Sequence, residues 1–192
     1  VWQTEGVNDR VQLAAMRREL NRRVLERWMR SGVTVVDPAT AWVDVTVELG
    51  RDVTLLPGVQ LHGDTTVADG AEIGPDTTLV DCHIGERATV VRTHAKGAEI
   101  GPEATVGPFT YLRPGTSLGP RSKAGAHVEI KASTVGEGAK VPHLSYVGDA
   151  SVGEGTNIGA GNITANYDGF RKHRTTIGAR VRTGSDCVFV AP

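Results

Sequence analysis

Aliphatic residues recur every six positions along most of this chain. The series runs Val43, Leu49, Leu55, Leu61, Val67, Ile73 and Leu79, then takes a five-residue step to Ile84 and continues to Val90. It resumes at Ile100, Val106, Leu112, Leu118, Ala124 and Ile130, and again at Val135, Val141, Val147, Val152 and Ile158, with a last member at Ile177. Many of these residues precede glycine, as in Ile73-Gly74, Ile100-Gly101 and Ile158-Gly159. A period of six fits neither a helix nor a half-buried strand, whose side chains repeat every 3.6 and 2 residues. It fits a short strand and a tight corner, repeated. The pattern therefore predicts a mainly β chain, a parallel solenoid of hexapeptide repeats with the aliphatic residues pointing inward. Gly, Asn and Asp are expected at the corners, where they tolerate left-handed backbone. Stability then approximates a sum of nearest-neighbour stacking terms.

A helix is expected before the solenoid, over residues 8–31. Leu13, Met16, Leu20, Val24, Trp28 and Met29 fall at three- and four-residue spacings and form one apolar stripe. Asn8 or Asp9 can cap its start, and Gly32 stands at its stop. Its other face carries Arg10, Arg17, Arg18, Arg22, Arg23, Arg27 and Arg30, interrupted by Glu19 and Glu26. That pattern reads as a solvated connecting helix rather than a nucleic-acid contact. Asp37-Pro38 makes a turn, and the alternation over residues 43–47 begins the β region. Two interruptions follow, one around 91–97 and a larger one between Ile158 and Ile177. The second holds the polar and aromatic excursion 164–173, with a turn at Asp168-Gly169. A loop leaving a regular scaffold is where function tends to sit.

Composition sharpens this picture. Aromatics are 5% of the 192 residues and glycines number 24, a balance suited to many turns rather than a core of large side chains. Net charge is −1, so no bulk attraction to nucleic acid or anionic membrane is expected. No run of apolar residues is long enough for a membrane helix, and no signal peptide is visible. A cytoplasmic protein is expected, and the missing initiator Met suggests a start within a longer one. Cys82 and Cys187 are too few and too distant for a disulfide framework or zinc ribbon. They read as ordinary small residues, a reactive thiol being the alternative.

Several stretches fall in one order along the chain: Gly107 to Gly115, Val128 to Lys131, His143 to Ala150, Asn157 to Gly161, Asn166-Tyr167-Asp168-Gly169, and Gly184 to Asp186. With the opening Glu5 to Arg10, they resemble the bacterial bifunctional N-acetylglucosamine-1-phosphate uridylyltransferase/glucosamine-1-phosphate N-acetyltransferase family. The resemblance covers nearly the whole chain. It implies a left-handed β-helix, a homotrimer, and acetyl transfer from acetyl-CoA to the amine of glucosamine 1-phosphate. It also implies a layout of uridylyltransferase remnant (1–7), linker helix and turn (8–38) and acetyltransferase β-helix (39–192). The left hand departs from the usual crossover rule.

Acetyl transfer to an amine needs a base, and imidazole titrates near working pH. His143 stands in the shared motif where the family has its general base, although a corner histidine can also serve only backbone hydrogen bonds. Glu129 could orient that imidazole, as an acidic partner does in a triad. A phosphorylated acceptor calls for fixed cations, and Arg113 and Lys131 match the family's sugar-phosphate contacts, with Lys172 a third candidate. Without the motif these would read as ordinary surface charges. Tyr146 and Asn157 match positions that hold the sugar, though Asn157 could be a stacked corner residue. Ala160, Asn166, Tyr167 and Ser185 match contacts to acetyl-CoA or the tetrahedral intermediate, whose oxyanion hydrogen-bond donors would stabilise. Ala160 could instead be small only because coils stack closely. Asn8 matches a magnesium ligand of the uridylyltransferase site, here a remnant without its partners.

The uridylyltransferase domain, with its Gly-rich nucleotide loop, is missing, and the chain stops at Pro192 without the family's last coils. Weak binding of acetyl-CoA by this chain is therefore expected. Rival readings are a hexapeptide acyltransferase of another substrate and a non-catalytic solenoid appended to a nucleotidyltransferase. A hexapeptide carbonic anhydrase would need three convergent histidines, a spacing that His62, His83, His94 and His127 do not show.

Overall fold

The structure, a computed structural model, describes residues 6–192. Most of the expected remnant at 1–7 thus lies outside the described residues. Helix α1 spans Arg10–Arg30. The Asp9 side chain caps it by accepting from Gln12 N at 2.8 Å, and Gly32 follows its end with φ +98°. Glu19 bonds Arg22 and Arg23, and Glu26 bonds Arg22 and Arg30, so the basic face is partly neutralised along its own helix. Hydrogen bonds from Arg22 and then Arg23 hold the Glu19 carboxyl at about 2.

The expected apolar stripe is only half right. Asn21, Val24 and Leu25 are buried and Trp28 packs on the core, whereas Leu13 and Leu20 are 45% and 49% exposed. The reason is placement: only the C-terminal half of α1 lies on the first coil. Asn21 makes that junction specific. Its amide donates to Ala41 O at 2.8 Å and accepts from Val43 N at 3.0 Å, pairing the otherwise open edge of the strand Trp42–Val43.

The rest is a left-handed parallel β-helix of about eight turns. Short strands stack into three sheets of seven, nine and eight strands. The first strand, Thr34–Val35, pairs with Thr54–Leu55, so coiling begins before the alternation at Val43. Inward residues stack in register: Val43 on Leu61, Leu61 on Leu79, and later Leu112 on Ile130 and Ile130 on Val147. Every aliphatic member of the series from Val43 to Ile158 is buried, and Ile177 packs partly buried against them. Each such Val, Leu or Ile contributes about 1.5–3 kcal/mol of burial.

Three features differ from the sequence expectation. The interval from Val90 to Ile100 is no break, because Ala95, fully buried, fills the inward slot between Leu79 and Leu112. Thr164, also buried, fills the slot beside Val147, so the second interruption begins only after it. Finally, a second set of inward residues, most of them Ala, Ser or Thr, lies two positions before the aliphatic ones, among them Thr77, Ala104, Ser133 and Ala150. Glycines such as Gly101 follow from coil spacing rather than left-handed backbone: a Cβ there would meet Leu118 O at 2.7 Å.

Candidate functional site

Residues on either side of an inward slot point outward and stack from coil to coil, which sorts the candidate residues into columns. On the nine-stranded sheet, Tyr111, Glu129 and Tyr146 form one column. Arg113, Lys131 and Gly148 form the next, because Leu112, Ile130 and Val147 are in register beside them. Gly148 has a local purpose here, since a Cβ would run into the Tyr146 hydroxyl.

Arg113 Nη1 donates to Glu129 Oε1 at 3.0 Å, and this bond holds the guanidinium above its ordinary range. No hydrogen bond joins Glu129 to His143 among the described residues. Lys131 Nζ donates to Asp149 Oδ2 at 2.9 Å and Oδ1 at 3.2 Å. Asn166 Nδ2 donates to the same carboxylate at 2.9 Å. Burial pushes the Asp149 carboxyl up, but the bonds from Lys131 and Asn166 outweigh it and the net shift is downward. Lys172 approaches Lys131 closely. That neighbouring cation pushes the Lys172 ammonium down, while Lys131, set between Lys172 and the Asp149 carboxylate, is held up.

The excursion is a hairpin. Tyr167 bridges to Lys172 antiparallel, and His173 N donates to Asn166 O at 2.8 Å. At its turn Asp168 accepts from Arg171 N at 2.7 Å and Phe170 N at 2.8 Å, and pairs with His173 Nε2 at 2.7 Å. The bond from Arg171, then that from His173, brings the Asp168 carboxyl to about 2. Asn166 is buried at the base, while Tyr167 is exposed.

His143 lies on the corner that precedes Tyr146. The ladder bonds Leu144 N to Ala126 O, Gly161 N to His143 O and Asp186 N to Ala160 O run down that corner at 3.0, 3.3 and 2.8 Å. They stack His143, Ala160 and Ser185 on successive coils. Asn157 lies just before this corner, bridged to Lys140 and Arg182. The candidates thus occupy one face and its two edges: His143, Ala160 and Ser185 on one, Asp149, Asn166 and Lys172 on the other. Asp149 lies within the stretch His143 to Ala150 and received no role from the sequence. Its sign was its place between the Lys131 motif and the excursion.

Asn8 stands before α1, its backbone N–H bonded to Gln12 Oε1 at 2.6 Å. Among the described residues no three His, Cys, Asp or Glu side chains converge as a metal set. The residues present therefore do not fit a magnesium site. No helix among the described residues is long and apolar enough to cross a membrane.

Comparison with known proteins connects this geometry to a family. The chain is 65% identical over 191 residues to the bifunctional protein GlmU of Pseudarthrobacter chlorophenolicus, and 64% identical over 192 residues to that of Micrococcus luteus. End to end, the chain matches part of bifunctional GlmU. All of the chain is covered in both cases, but only 39% of each GlmU relative. GlmU of Corynebacterium glutamicum is 60% identical over 187 residues, 97% of this chain and 39% of the relative. No family model matches. Among solved structures, UDP-N-acetylglucosamine acyltransferase from Campylobacter jejuni superposes with TM-score 0.41 at 14% identity, covering 70% of this chain and 66% of that one. So loose a superposition adds nothing to the reading of the site.

Proposed function

We propose that this chain transfers acetyl from acetyl-CoA to the amine of glucosamine 1-phosphate, within a longer bifunctional protein that also carries uridylyltransferase activity. The supporting observation is the pairing of Arg113 and Lys131 on adjacent coils, each aimed by a carboxylate, with Asn166 of the excursion bonded to the same Asp149 as Lys131. In this reading Arg113, Lys131 and Lys172 hold the acceptor's phosphate, and Tyr146 and Asn157 hold its sugar. The amine nitrogen attacks the thioester carbonyl, His143 takes the amine proton, and the C–S bond breaks as the coenzyme thiol leaves. Ala160, Asn166, Tyr167 and Ser185 contact the acetyl donor and the developing oxyanion. Glu129 aims Arg113, and orientation of His143 would be its second role.

The division into a remnant at 1–7, a linker at 8–38 and a catalytic β-helix at 39–192 belongs to the same proposal. So do a homotrimer and a cytoplasmic location. His143 and Asp149 lie on opposite edges of one face, six residues apart along the coil, on the order of 15–20 Å at about 3.3 Å per residue. A neighbouring copy would supply the second wall that brings base and phosphate site to one small sugar. Asn8 would be a remnant of the magnesium site of the other activity.

Release of free thiol from acetyl-CoA with glucosamine 1-phosphate tests this, on a chain extended to the length of its relatives. His143→Ala should lose at least about a hundredfold in kcat, in line with the usual contribution of a general base. Equal rates would end the assignment. Unchanged turnover in Glu129→Gln would remove Glu129 from the chemistry.

A further inference from the structure

Ala95 in an inward slot has a consequence for its neighbour. Lys96 follows it, in register with Val80 on one side and, through Ala95 and Leu112, beside Arg113 on the other. It therefore extends the outward column Arg113–Lys131 by one coil, a step of about 4.8 Å. Read as part of an irregular break, Lys96 has no defined neighbour. Read as one past an inward slot, it is the third cation in a straight line.

Charge distinguishes it from the other two. Glu129 neutralises Arg113 and Asp149 neutralises Lys131, at 3.0 and 2.9 Å. Lys172, the fourth nearby base, lies on the excursion against Lys131, a like charge that lowers its pKa. Arg113 and Lys131 are thus offset pair by pair, whereas a phosphate monoester carries a charge of about −1.5 to −2 at pH 7. Lys96 is exposed, and its ammonium makes no hydrogen bond or ion pair among the described residues. It is the uncompensated charge of the column.

We propose that Lys96 is a binding residue for the phosphate of the acceptor, closing on it from the coil before Arg113. The proposal rests on the reading of this face as a sugar-phosphate site, and Lys96 sets the preference for a doubly charged acceptor over an uncharged sugar. Four donors then surround the anion: the Arg113 fork not used by Glu129, Lys96, Lys131 and Lys172.

The test is equilibrium binding by calorimetry, on this chain without acetyl-CoA, so that no result depends on turnover. Glucosamine 1-phosphate, glucosamine and free coenzyme A are titrated separately into wild type, Lys96→Gln, Lys96→Arg and Lys123→Gln. Lys123, exposed on another sheet, controls for net charge. Lys96→Gln should weaken glucosamine 1-phosphate about three- to tenfold and leave glucosamine unchanged, with Lys96→Arg near wild type. Added salt should shrink the difference. Equal affinity in Lys96→Gln, the same loss in Lys123→Gln, or a loss confined to coenzyme A overturns the proposal while leaving acetyl transfer by His143 intact. Wild-type chain that binds no glucosamine 1-phosphate overturns it together with the reading of the face. A Lys96 effect on binding alongside unaltered turnover in His143→Ala would keep this inference and remove the catalytic one.

Discussion

Asp149 is the side chain whose removal should be felt most clearly at the candidate site. It accepts from Lys131 at 2.9 and 3.2 Å and from Asn166 at 2.9 Å, with only 23% of its side chain exposed. An asparagine there keeps the shape but leaves one acceptor oxygen for two donors, and Lys131 without its counter-charge beside Lys172. A hydrogen bond to a charged group contributes about 1.5–3 kcal/mol when buried, and solvent at this partly open site reduces that. A loss of about 1–2 kcal/mol for Asp149→Asn is therefore expected, or about 3–6 °C in Tm for a chain of this size. The pH dependence gives a second handle. The folded Asp149 carboxyl titrates below its unfolded value of about 3.9. Its contribution is therefore full above pH 4 and lost as pH falls through the folded value. Melting curves by circular dichroism should show wild type above Asp149→Asn at pH 7, the gap narrowing as pH falls below 4. Equal Tm at pH 7, or a gap that widens as pH falls, would refute the reasoning.

Two further predictions concern the scaffold. Asn21→Leu leaves the Ala41 carbonyl and Val43 N–H without partners at a buried junction, and should cost about 2–3 kcal/mol in denaturant unfolding. An unchanged midpoint would show that the amide's bonds are replaceable. Ala95→Leu forces extra volume between Leu79 and Leu112 and should cost about 1–3 kcal/mol. If residues 91–97 were instead an open loop, the same variant would unfold like wild type.

The solenoid was legible because large aliphatic residues mark inward slots by themselves. Where the slot holds Ala95 or Thr164, the alphabet of large residues goes silent and a continuous coil looks interrupted. The small set two positions earlier was hidden for the same reason, since Thr77 or Ser133 is as common on surfaces as at a tight interior corner. The α1 stripe misled in the opposite sense: Leu13 and Leu20 have helical spacing, but spacing does not say whether anything lies against them. At the site, Arg113, Lys131 and Asn166 were found through motif resemblance, and their columns follow from register. The carboxylates behaved less predictably. A pairing of Glu129 with Arg113 depends on which coils adjoin, and chain order does not say.

Asn21 has a geometric meaning beyond its two hydrogen bonds. Successive residues of a helix are rotated by about 100° and rise about 1.5 Å, so α1 is a rod roughly 30 Å long with a definite azimuth. An amide that grips both Ala41 and Val43 permits only one rotation of that rod about its own axis. A one-residue slip would swing the Asp9 end by more than a quarter-turn. The side chain thus works as an index pin, set at mid-shaft and fixing the bearing of the end that lies off the solenoid.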